Sequence, residues 1–210
     1  MSATKATKGQ GLLISVEGID GAGKTTQAYW LKQALESMGF PTIYTTEPTY
    51  SRVGSLIRVL SFVEESFIDG VVEALLFAAD RRIHVNEVIE PKLRNGYVVI
   101  VDRYIHSSLA YQGARGVDLS WIRLVNAFAP KPHLAIYIDV SPKQGLSRIG
   151  GGKTIFEKLD FLNRVREIYL ELVRQGELIL VQGNREAELV HREILSLVKP
   201  FLKKFRSDRS

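Results

Sequence analysis

The 210-residue chain contains no cysteine, and this absence excludes a disulfide framework. It also lacks an apolar run of about 18 residues, so we expect no membrane-spanning helix. Its opening letters, MSATKATKGQG, lack the long apolar centre of a signal peptide. We therefore interpret residues 1–10 as a disordered lead-in and the cytoplasm as the location. The length requires no second domain, and we treat residues 1–210 as one domain.

Positive charge is only mildly in excess. The chain has 28 Lys and Arg residues against 23 Asp and Glu residues. This balance suits a small anionic substrate better than a long nucleic-acid track. Part of the positive charge lies in the terminal KPFLKKFRSDRS, which we interpret as a solvated helix end and tail. A nucleic-acid patch is the alternative for that segment. We expect small-molecule partners, with no nucleic acid and no membrane.

Short apolar runs alternate with segments of helical period along the chain. Near-continuous apolar runs are typical of strands buried on both faces, as in a parallel sheet covered by crossover helices. The sequence therefore predicts a three-layer α/β fold with a mostly parallel five-stranded sheet and helices on both faces. Ligands of such sheets bind beyond the carboxyl ends of the strands. The predicted strands are Leu12–Gly18, Pro41–Glu47, Tyr97–Asp102, Leu134–Val140 and Leu178–Gly183.

The strongest motif follows the first predicted strand, where GIDGAGKT matches the phosphate-loop pattern G-x-x-x-x-G-K-[ST]. Its glycines let backbone N–H groups turn toward phosphate oxygens. Lys24 reaches the outer phosphates, and Thr25 offers a hydroxyl to Mg²⁺. An ordinary glycine-rich turn needs neither that lysine nor that hydroxyl. The residues predicted to bind ATP are Gly18, Ile19, Asp20, Gly21, Ala22, Gly23, Lys24, Thr25 and Thr26.

A second stretch, GGGKT at 150–154, looks similar but fails the same pattern. Ser147 stands where the pattern requires a glycine, and a helical stretch from Pro142 separates GGGKT from the preceding strand. Three consecutive glycines cost much backbone entropy to fix and suit a mobile hinge. We therefore interpret residues 148–157 as a lid over ATP.

The segment DRYIHSSLAYQG, at 102–113, follows another predicted strand. If the chain turns helical there, Arg103, Ser107 and Tyr111 share one face. A guanidinium, a hydroxyl and a phenol in that arrangement could grip a phosphate, a base edge and a sugar. The alternative is a structural ion pair between Asp102 and Arg103, with Tyr111 packed in the core.

A third segment, at 71–84, carries an aromatic side chain and an arginine four residues apart. Its periodicity predicts Phe77 and Arg81 on a face away from the core. There Phe77 could stack on a base and Arg81 could donate to a base carbonyl. Ordinary packing of Phe77, with Arg81 in solvent, is the alternative. The predicted core stripe is Val72, Leu76, Ala79 and Ile83.

Taken together, four segments resemble thymidylate kinases in their order and separation. They read ISVEGIDGAGKTTQ, EPT, LLFAADR and DRYIHSSLAYQG. The resemblance spans about residues 12–198 and implies an ATP:dTMP phosphotransferase of the P-loop nucleoside monophosphate kinase fold. Such an enzyme needs Mg²⁺, makes dTDP and is usually a homodimer. A kinase of the same fold acting on another nucleoside monophosphate or on a deoxynucleoside is the alternative.

The resemblance also implies roles for matching side chains at the base. Phe77 would stack on thymine, Arg81 would bond a thymine carbonyl, and Ser107 or Ser108 would lie at the base edge. The other residues that we assign to the acceptor are Glu47, Arg58, Asp102 and Gln112.

At the sugar and the phosphates, Tyr111 would crowd the 2′ position and favour deoxyribose. Arg103 would hold the dTMP phosphate, and Asp20 would lie near the acceptor. Thr25 and Asp102 are the candidate metal ligands. Phosphoryl transfer asks mainly for positioning and positive charge, so we expect direct transfer without a side-chain nucleophile.

Two positions depart from the family pattern. Many relatives carry arginine just before the Glu-Pro pair, where this chain has Thr46, so Arg52 or Arg58 is the candidate substitute. Relatives without an arginine in the phosphate loop, as here with Ala22, usually place one in the lid shortly before a glutamate that corresponds to Glu157. In this chain the stretch before Glu157, residues 153–156, has no arginine. We assign that charge to Lys153, with Arg148 as the competing candidate and a disordered connector as the alternative.

A nucleotide-dependent switch or assembly ATPase is a candidate function of another class. The guanine-reading Asn-Lys-x-Asp motif of a GTPase switch is absent from the sequence. Such a protein would also have no need of the Phe77 and Arg81 pair or of the Arg103 and Tyr111 pair. The sequence therefore favours an enzyme over a switch.

Overall fold

The computed structural model of the protein describes residues 11–62, 69–149 and 155–207. Within them, five strands form one sheet in the order β2-β3-β1-β4-β5, and all four pairings are parallel. Each strand begins and ends within one residue of its predicted bounds, so the predicted sheet is confirmed. The strands are β1 Leu12–Glu17, β2 Thr42–Thr46, β3 Val98–Asp102, β4 Leu134–Asp139 and β5 Ile179–Gln182.

Helices connect the strands, and a π-helical turn at Val85–Ile89 joins the third helix to the fourth. In the part of the chain that the structure describes, no helix has the length and apolar character needed to cross a membrane. The predicted lead-in at 1–10 and residues 150–154 of the predicted lid, including Lys153, lie outside the described residues. The helices are α1 Lys24–Ser37, α2 Arg52–Phe62, α3 Gly70–His84, α4 Glu90–Arg94, α5 Ile105–Ala114, α6 Leu119–Val125, α7 Pro142–Ile149, α8 Ile155–Arg174 and α9 Ala187–Ser207.

The sheet is buried on both faces, as β1 illustrates. All six of its residues are buried, and alternate side chains enter different layers. Ile14 packs in the larger core, which also contains Leu31 of α1, whereas Leu13 packs with Val85 and Ile89 in a second cluster. The prediction of helices on both faces is therefore confirmed. This arrangement leaves the carboxyl edge of the sheet for the loops that carry polar side chains.

Helix α3 turns a different face inward from the one that the periodicity predicts. Val72 and Ala79 of the predicted stripe are exposed, and Leu76 and Ile83 are only partly buried. The predicted stripe is therefore wrong. The residues of α3 that are buried are Ala74, Ala78, Asp80, Arg81 and His84.

Satisfied hydrogen bonds explain why charged groups occupy the inner face of α3. Asp80 accepts hydrogen bonds from the hydroxyls of Thr49 and Ser51, at 2.5 and 2.7 Å. Arg81 pairs with Glu47 of the loop after β2, with 2.8 Å between Nη2 and Oε2. Burial of charge is tolerated when each group finds a partner. Apolar side chains of α3 remain at the surface as a result.

Candidate active site

Two adjoining cavities lie at the carboxyl edge of the sheet, where the fold class predicts a ligand site. The larger has a volume of about 540 Å³ and the smaller about 350 Å³. The phosphate loop lines the smaller cavity, and α2, α3, α5 and α8 contribute to the larger one. Four residues line both: Asp20, Pro48, Arg58 and Arg103. The cavities therefore meet at a junction that carries two arginines.

The phosphate loop has the backbone shape that its glycines allow. Gly21 and Gly23 have φ values of 76° and 89°, in the left-handed region where a side chain is disfavoured. Helix α1 begins directly after them at Lys24, so its free N–H groups face the smaller cavity. The cavity is lined by six of the nine predicted loop residues, whereas Gly18, Ile19 and Ala22 do not line it.

The Lys24 side chain is buried in the phosphate loop and fixed by a hydrogen bond. It is 6% exposed, and Nζ donates to the Ile19 carbonyl at 2.8 Å. Burial, and then repulsion from the Arg103 guanidinium, lower the pKa of Lys24 to about 8. A phosphate group beside this ammonium would supply the missing counter-charge.

Thr25 and Asp102, the candidate metal ligands, are in direct contact. The Thr25 hydroxyl donates to Asp102 Oδ2 at 2.6 Å, and the Tyr44 hydroxyl donates to the same oxygen at 3.3 Å. Burial, and then the nearby Asp102 carboxylate, raise the pKa of Tyr44 to about 12, which keeps this phenol a donor. Asp102 Oδ1 is buried and has no hydrogen-bond partner among the described residues.

These oxygens fit Mg²⁺, which takes one or two protein oxygen ligands and completes its shell with water and phosphate. Within the described ranges, no group of three His, Cys, Asp or Glu side chains could hold a metal by itself. An ion here would therefore depend on phosphate oxygens. The alternative of a structural Asp102–Arg103 pair finds no support, since Asp102 bonds Thr25 while Arg103 pairs with Asp20.

The turn after β3 corrects one prediction. Arg103 has φ of 67°, in the left-handed region, and α5 begins only at Ile105. Arg103, Ser107 and Tyr111 therefore do not share one helical face, because Arg103 precedes the helix. The buried Glu17 carboxylate accepts hydrogen bonds from the Tyr104 N–H at 3.1 Å and from the Ser107 hydroxyl at 2.7 Å. This contact ties the turn to the end of β1.

Arg103, Asp20 and Tyr111 nevertheless meet at the junction. Arg103 forms an ion pair with Asp20, and its guanidinium carbon lies 4.9 Å from the centre of the Tyr111 ring. The Tyr111 hydroxyl donates to Asp20 Oδ2 at 3.2 Å and accepts from Arg103 Nη2 at 3.3 Å. Partial burial would raise the pKa of Asp20, but Arg103 and Lys24 together lower it. The carboxylate is thus kept ionised between two cations.

The lining of the larger cavity combines an aromatic ring with small polar groups. Phe77, Ser107, Ser108 and Gln112 all line it. Ser108 Oγ accepts from Arg81 Nη2 at 3.0 Å, and the Ser107 hydroxyl is taken by Glu17. Gln112 is buried, and its Oε1 meets no hydrogen-bond donor in the described part of the chain. That oxygen is available to a ligand in the cavity.

Arg81 departs from its predicted position away from the core. It is 1% exposed and lines neither cavity. Its Nε donates to Glu47 at 2.9 Å, its Nη1 to Asn126 at 2.5 Å and its Nη2 to the Tyr104 carbonyl at 3.1 Å. Glu47 lines the smaller cavity, but its two carboxylate oxygens contact Arg81 and His84. Among the residues that the structure describes, Ser108 is thus the one through which Arg81 reaches the larger cavity.

Of the two candidate substitutes for the missing arginine at Thr46, Arg58 reaches the site. It lines both cavities, donates to the Pro48 carbonyl and lies 4.6 Å from the centre of the Tyr50 ring. Its Nε is buried and lacks an acceptor among the residues described. Arg52 is exposed and lines neither cavity. The Thr46 hydroxyl donates instead to the Asp102 carbonyl, at 3.1 Å.

Helix α7 lies directly against the phosphate loop. Arg148 donates to the Gly21 and Gly183 carbonyls at 3.1 and 3.2 Å, at the rim of the site. A Cβ on Gly145 would lie 2.5 Å from the Asp20 carbonyl oxygen, closer than real contacts allow. The absence of a side chain at Gly145 therefore lets the helix and the loop touch.

Several side chains at the site escape sequence reasoning. The position of Glu17 could have been predicted from the sequence, since an acidic residue at the end of an apolar run lies in a buried strand. No local pattern indicates Tyr44 or Asn126, because their partners Asp102 and Arg81 are distant from them in sequence. Phe161 of α8, which also lines the larger cavity, carries no local motif.

Comparison with known proteins adds independent findings. The family model for thymidylate kinase matches residues 16–194. A probable thymidylate kinase of Pyrococcus horikoshii is 49% identical over 199 residues, covering 90% of this chain and 97% of the relative. Those of Thermococcus gammatolerans and Staphylothermus marinus are 46% and 44% identical, covering 90% and 91% of this chain and 96% of each relative.

The contact between α7 and the phosphate loop predicts the effect of Gly145→Ala. Alanine is preferred to glycine in a helix by about 1 kcal/mol, yet overpacking costs about 1–3 kcal/mol. We expect the added methyl to displace the backbone at Asp20 and to weaken ATP binding several-fold, as measured by isothermal titration calorimetry. Ser147→Ala, an exposed position on the same helix, is the control. Unchanged ATP affinity in Gly145→Ala would contradict a tight contact here.

Proposed function

Because the chain belongs to the thymidylate kinase family, we propose that its two cavities hold ATP and dTMP side by side during direct phosphoryl transfer. The protein is an enzyme of nucleotide biosynthesis that phosphorylates dTMP to dTDP with ATP as the phosphoryl donor.

The junction of the cavities is the observation that supports direct transfer most strongly. Arg58 and Arg103 line both cavities, and Lys24 lies in the smaller one beside them. A phosphoryl group in transfer carries negative charge on its oxygens, and preorganised cations stabilise that charge. We assign Arg103 and Arg58 to the dTMP phosphate and Lys24 to the outer phosphates of ATP. Asp20 orients Arg103 through their ion pair.

For the donor, we assign the triphosphate to the phosphate loop and the N-terminus of α1. Thr25 and Asp102 would hold Mg²⁺, and a bound ion would neutralise charge on the donor phosphates. Tyr44 and Thr25 position the Asp102 carboxylate by hydrogen bonds. Lys153 stays our proposed lid cation. Arg148 remains its competitor, although its contacts with Gly21 and Gly183 hold it at the rim.

For the acceptor, we assign the thymine base to the part of the larger cavity that Phe77, Ser108 and Gln112 line. Phe77 would stack on the ring. The Gln112 amide offers both a donor and an acceptor, which matches the N3–H and carbonyl groups of thymine. The Arg81 guanidinium would act on the base through Ser108, to which it donates. Tyr111 would crowd the 2′ position of the sugar and disfavour ribose.

The outer surface of α2, α3 and α6 supports a homodimer. These helices expose large apolar side chains, and Leu124 is 70% exposed. Exposed apolar patches on neighbouring elements mark protein interfaces. We propose that two copies pair through this face and that the dimer acts in the cytoplasm. The face consists of Leu56, Val59, Val72, Leu75 and Leu124.

An acceptor panel tests the reaction. With ATP and Mg²⁺, we expect the highest kcat/KM for dTMP when dUMP, dCMP, dAMP, thymidine and ribothymidine 5′-monophosphate are compared in a coupled assay. The physical reason is the combined fit of the stacking ring, the Gln112 amide and the crowded 2′ position. A higher kcat/KM for any other acceptor would favour the alternative kinase of the same fold.

The assignment of Arg58 predicts the result of Arg58→Ala. A hydrogen bond to a charged group contributes about 1.5–3 kcal/mol, so kcat/KM for dTMP should fall by roughly 10- to 100-fold. Arg52→Ala removes the same charge from the same helix outside both cavities and should leave the steady-state constants unchanged. Equal effects of the two substitutions would remove Arg58 from the site.

The proposed dimer face predicts that Leu75→Glu is monomeric. A buried carboxylate without a partner is costly at an apolar interface, so the pair should dissociate. Light scattering after size exclusion measures the mass directly. Leu189→Glu, on the exposed surface of α9, is the matched control and should leave the dimer intact. A monomeric unmodified protein, or a dimeric Leu75→Glu variant, would contradict the proposal that two copies pair through this face.

A further inference from the structure

Phe161 of α8 contacts Tyr111 of α5 across the wall of the larger cavity. The two ring centroids are 6.1 Å apart, and the ring planes meet at 68°, an edge-to-face arrangement. Both rings are partly buried, and both line the cavity. Aromatic pairs favour this geometry because the positive edge of one ring meets the negative face of the other. The contact therefore restricts the orientation of the Tyr111 ring.

Tyr111 also packs against the larger core and has polar contacts at the junction. Its hydroxyl bonds Asp20 and Arg103, and the Arg103 guanidinium lies over its ring. A ring tied at its hydroxyl and covered on one side can still tilt about its side-chain bonds. Phe161, reaching in from a different helix, supplies a further contact to the ring itself. The position of the phenol thus depends on two helices and on the phosphate loop.

Phe161 is itself held in place by two cations. The guanidinium carbons of Arg115 and Arg164 lie 5.5 and 5.9 Å from the centre of its ring. Such cation–π contacts favour one ring position over its alternatives. Because the Phe161 ring is fixed in this way, it can limit the movement of the neighbouring Tyr111 ring.

We propose that Phe161 is a positioning residue for sugar selection, holding the Tyr111 ring where it crowds the 2′ position of the acceptor. This inference rests on the role proposed for Tyr111. Phe161 acts through Tyr111. Its removal lets the ring tilt and makes room for a 2′-hydroxyl. The deoxy acceptor needs no such room, so its turnover changes less than that of the ribo acceptor.

Phe161→Leu tests the proposal by keeping an apolar side chain while removing the ring. The measured quantity is the ratio of kcat/KM for dTMP to kcat/KM for ribothymidine 5′-monophosphate. We expect this ratio to fall by about 3- to 10-fold, the factor that corresponds to one edge-to-face pair. Phe161→Tyr keeps the aromatic ring and should retain most of the ratio. KM for ATP should stay unchanged in both variants.

Phe128→Leu is the matched control. The Phe128 ring also lies beneath a guanidinium, with Arg82 at 5.2 Å, but it lines neither cavity. This variant should keep the ratio of the unmodified protein. Thermal unfolding checks that each variant is folded, and Phe161→Met replaces Phe161→Leu if that protein does not fold.

Tyr111→Ala, measured in parallel, separates the role of Phe161 from that of Tyr111. A collapse of the ratio in Tyr111→Ala with no change in Phe161→Leu would overturn the inference and leave the proposed role of Tyr111 standing. An unchanged ratio in Tyr111→Ala would overturn both. Equal losses for the two acceptors in Phe161→Leu would show a merely structural role and would also overturn the inference.

Discussion

The buried carboxylate of Glu17 holds the turn on which both cavities depend. Burial alone would raise the pKa of Glu17, but His106, the Ser107 hydroxyl and the Tyr104 N–H lower it, so the group stays ionised. These contacts stabilise a turn in which Arg103 adopts a left-handed backbone, a conformation that costs about 1–3 kcal/mol for residues other than glycine. Asp102 can then face the phosphate loop while Arg103 faces the acceptor side.

Like charges lie close together at the junction. Arg103 helps to lower the pKa of Lys24, and Arg58 lines the same two cavities. Asp20 offsets part of this repulsion through its ion pair with Arg103. Phosphates of two nucleotides would offset the rest, because the cations at the junction attract the negative charge of both ligands. The junction therefore suits a reaction in which negative charge moves between two ligands.

Local patterns account for the parts of the molecule that the sequence predicts well. Buried strands and the phosphate loop depend on residues next to one another, so their bounds and positions follow from periodicity and one motif. The buried position of Arg81 does not follow from a local pattern, because its partners Glu47 and Asn126 are 34 and 45 residues away. The left-handed Arg103 also lacks a local signal. Arg58 was one of two candidates, and only the packing of α2 against the loop after β2 separates it from Arg52.

Direct transfer between the two nucleotides is the central claim, and its stereochemical course tests it most directly. ATP made chiral at the γ-phosphorus with oxygen isotopes is turned over with dTMP, and the configuration of the product β-phosphorus is determined. A single in-line displacement inverts the configuration, and this is the predicted result. Retention would require two displacements through a phosphorylated side chain and would contradict the account.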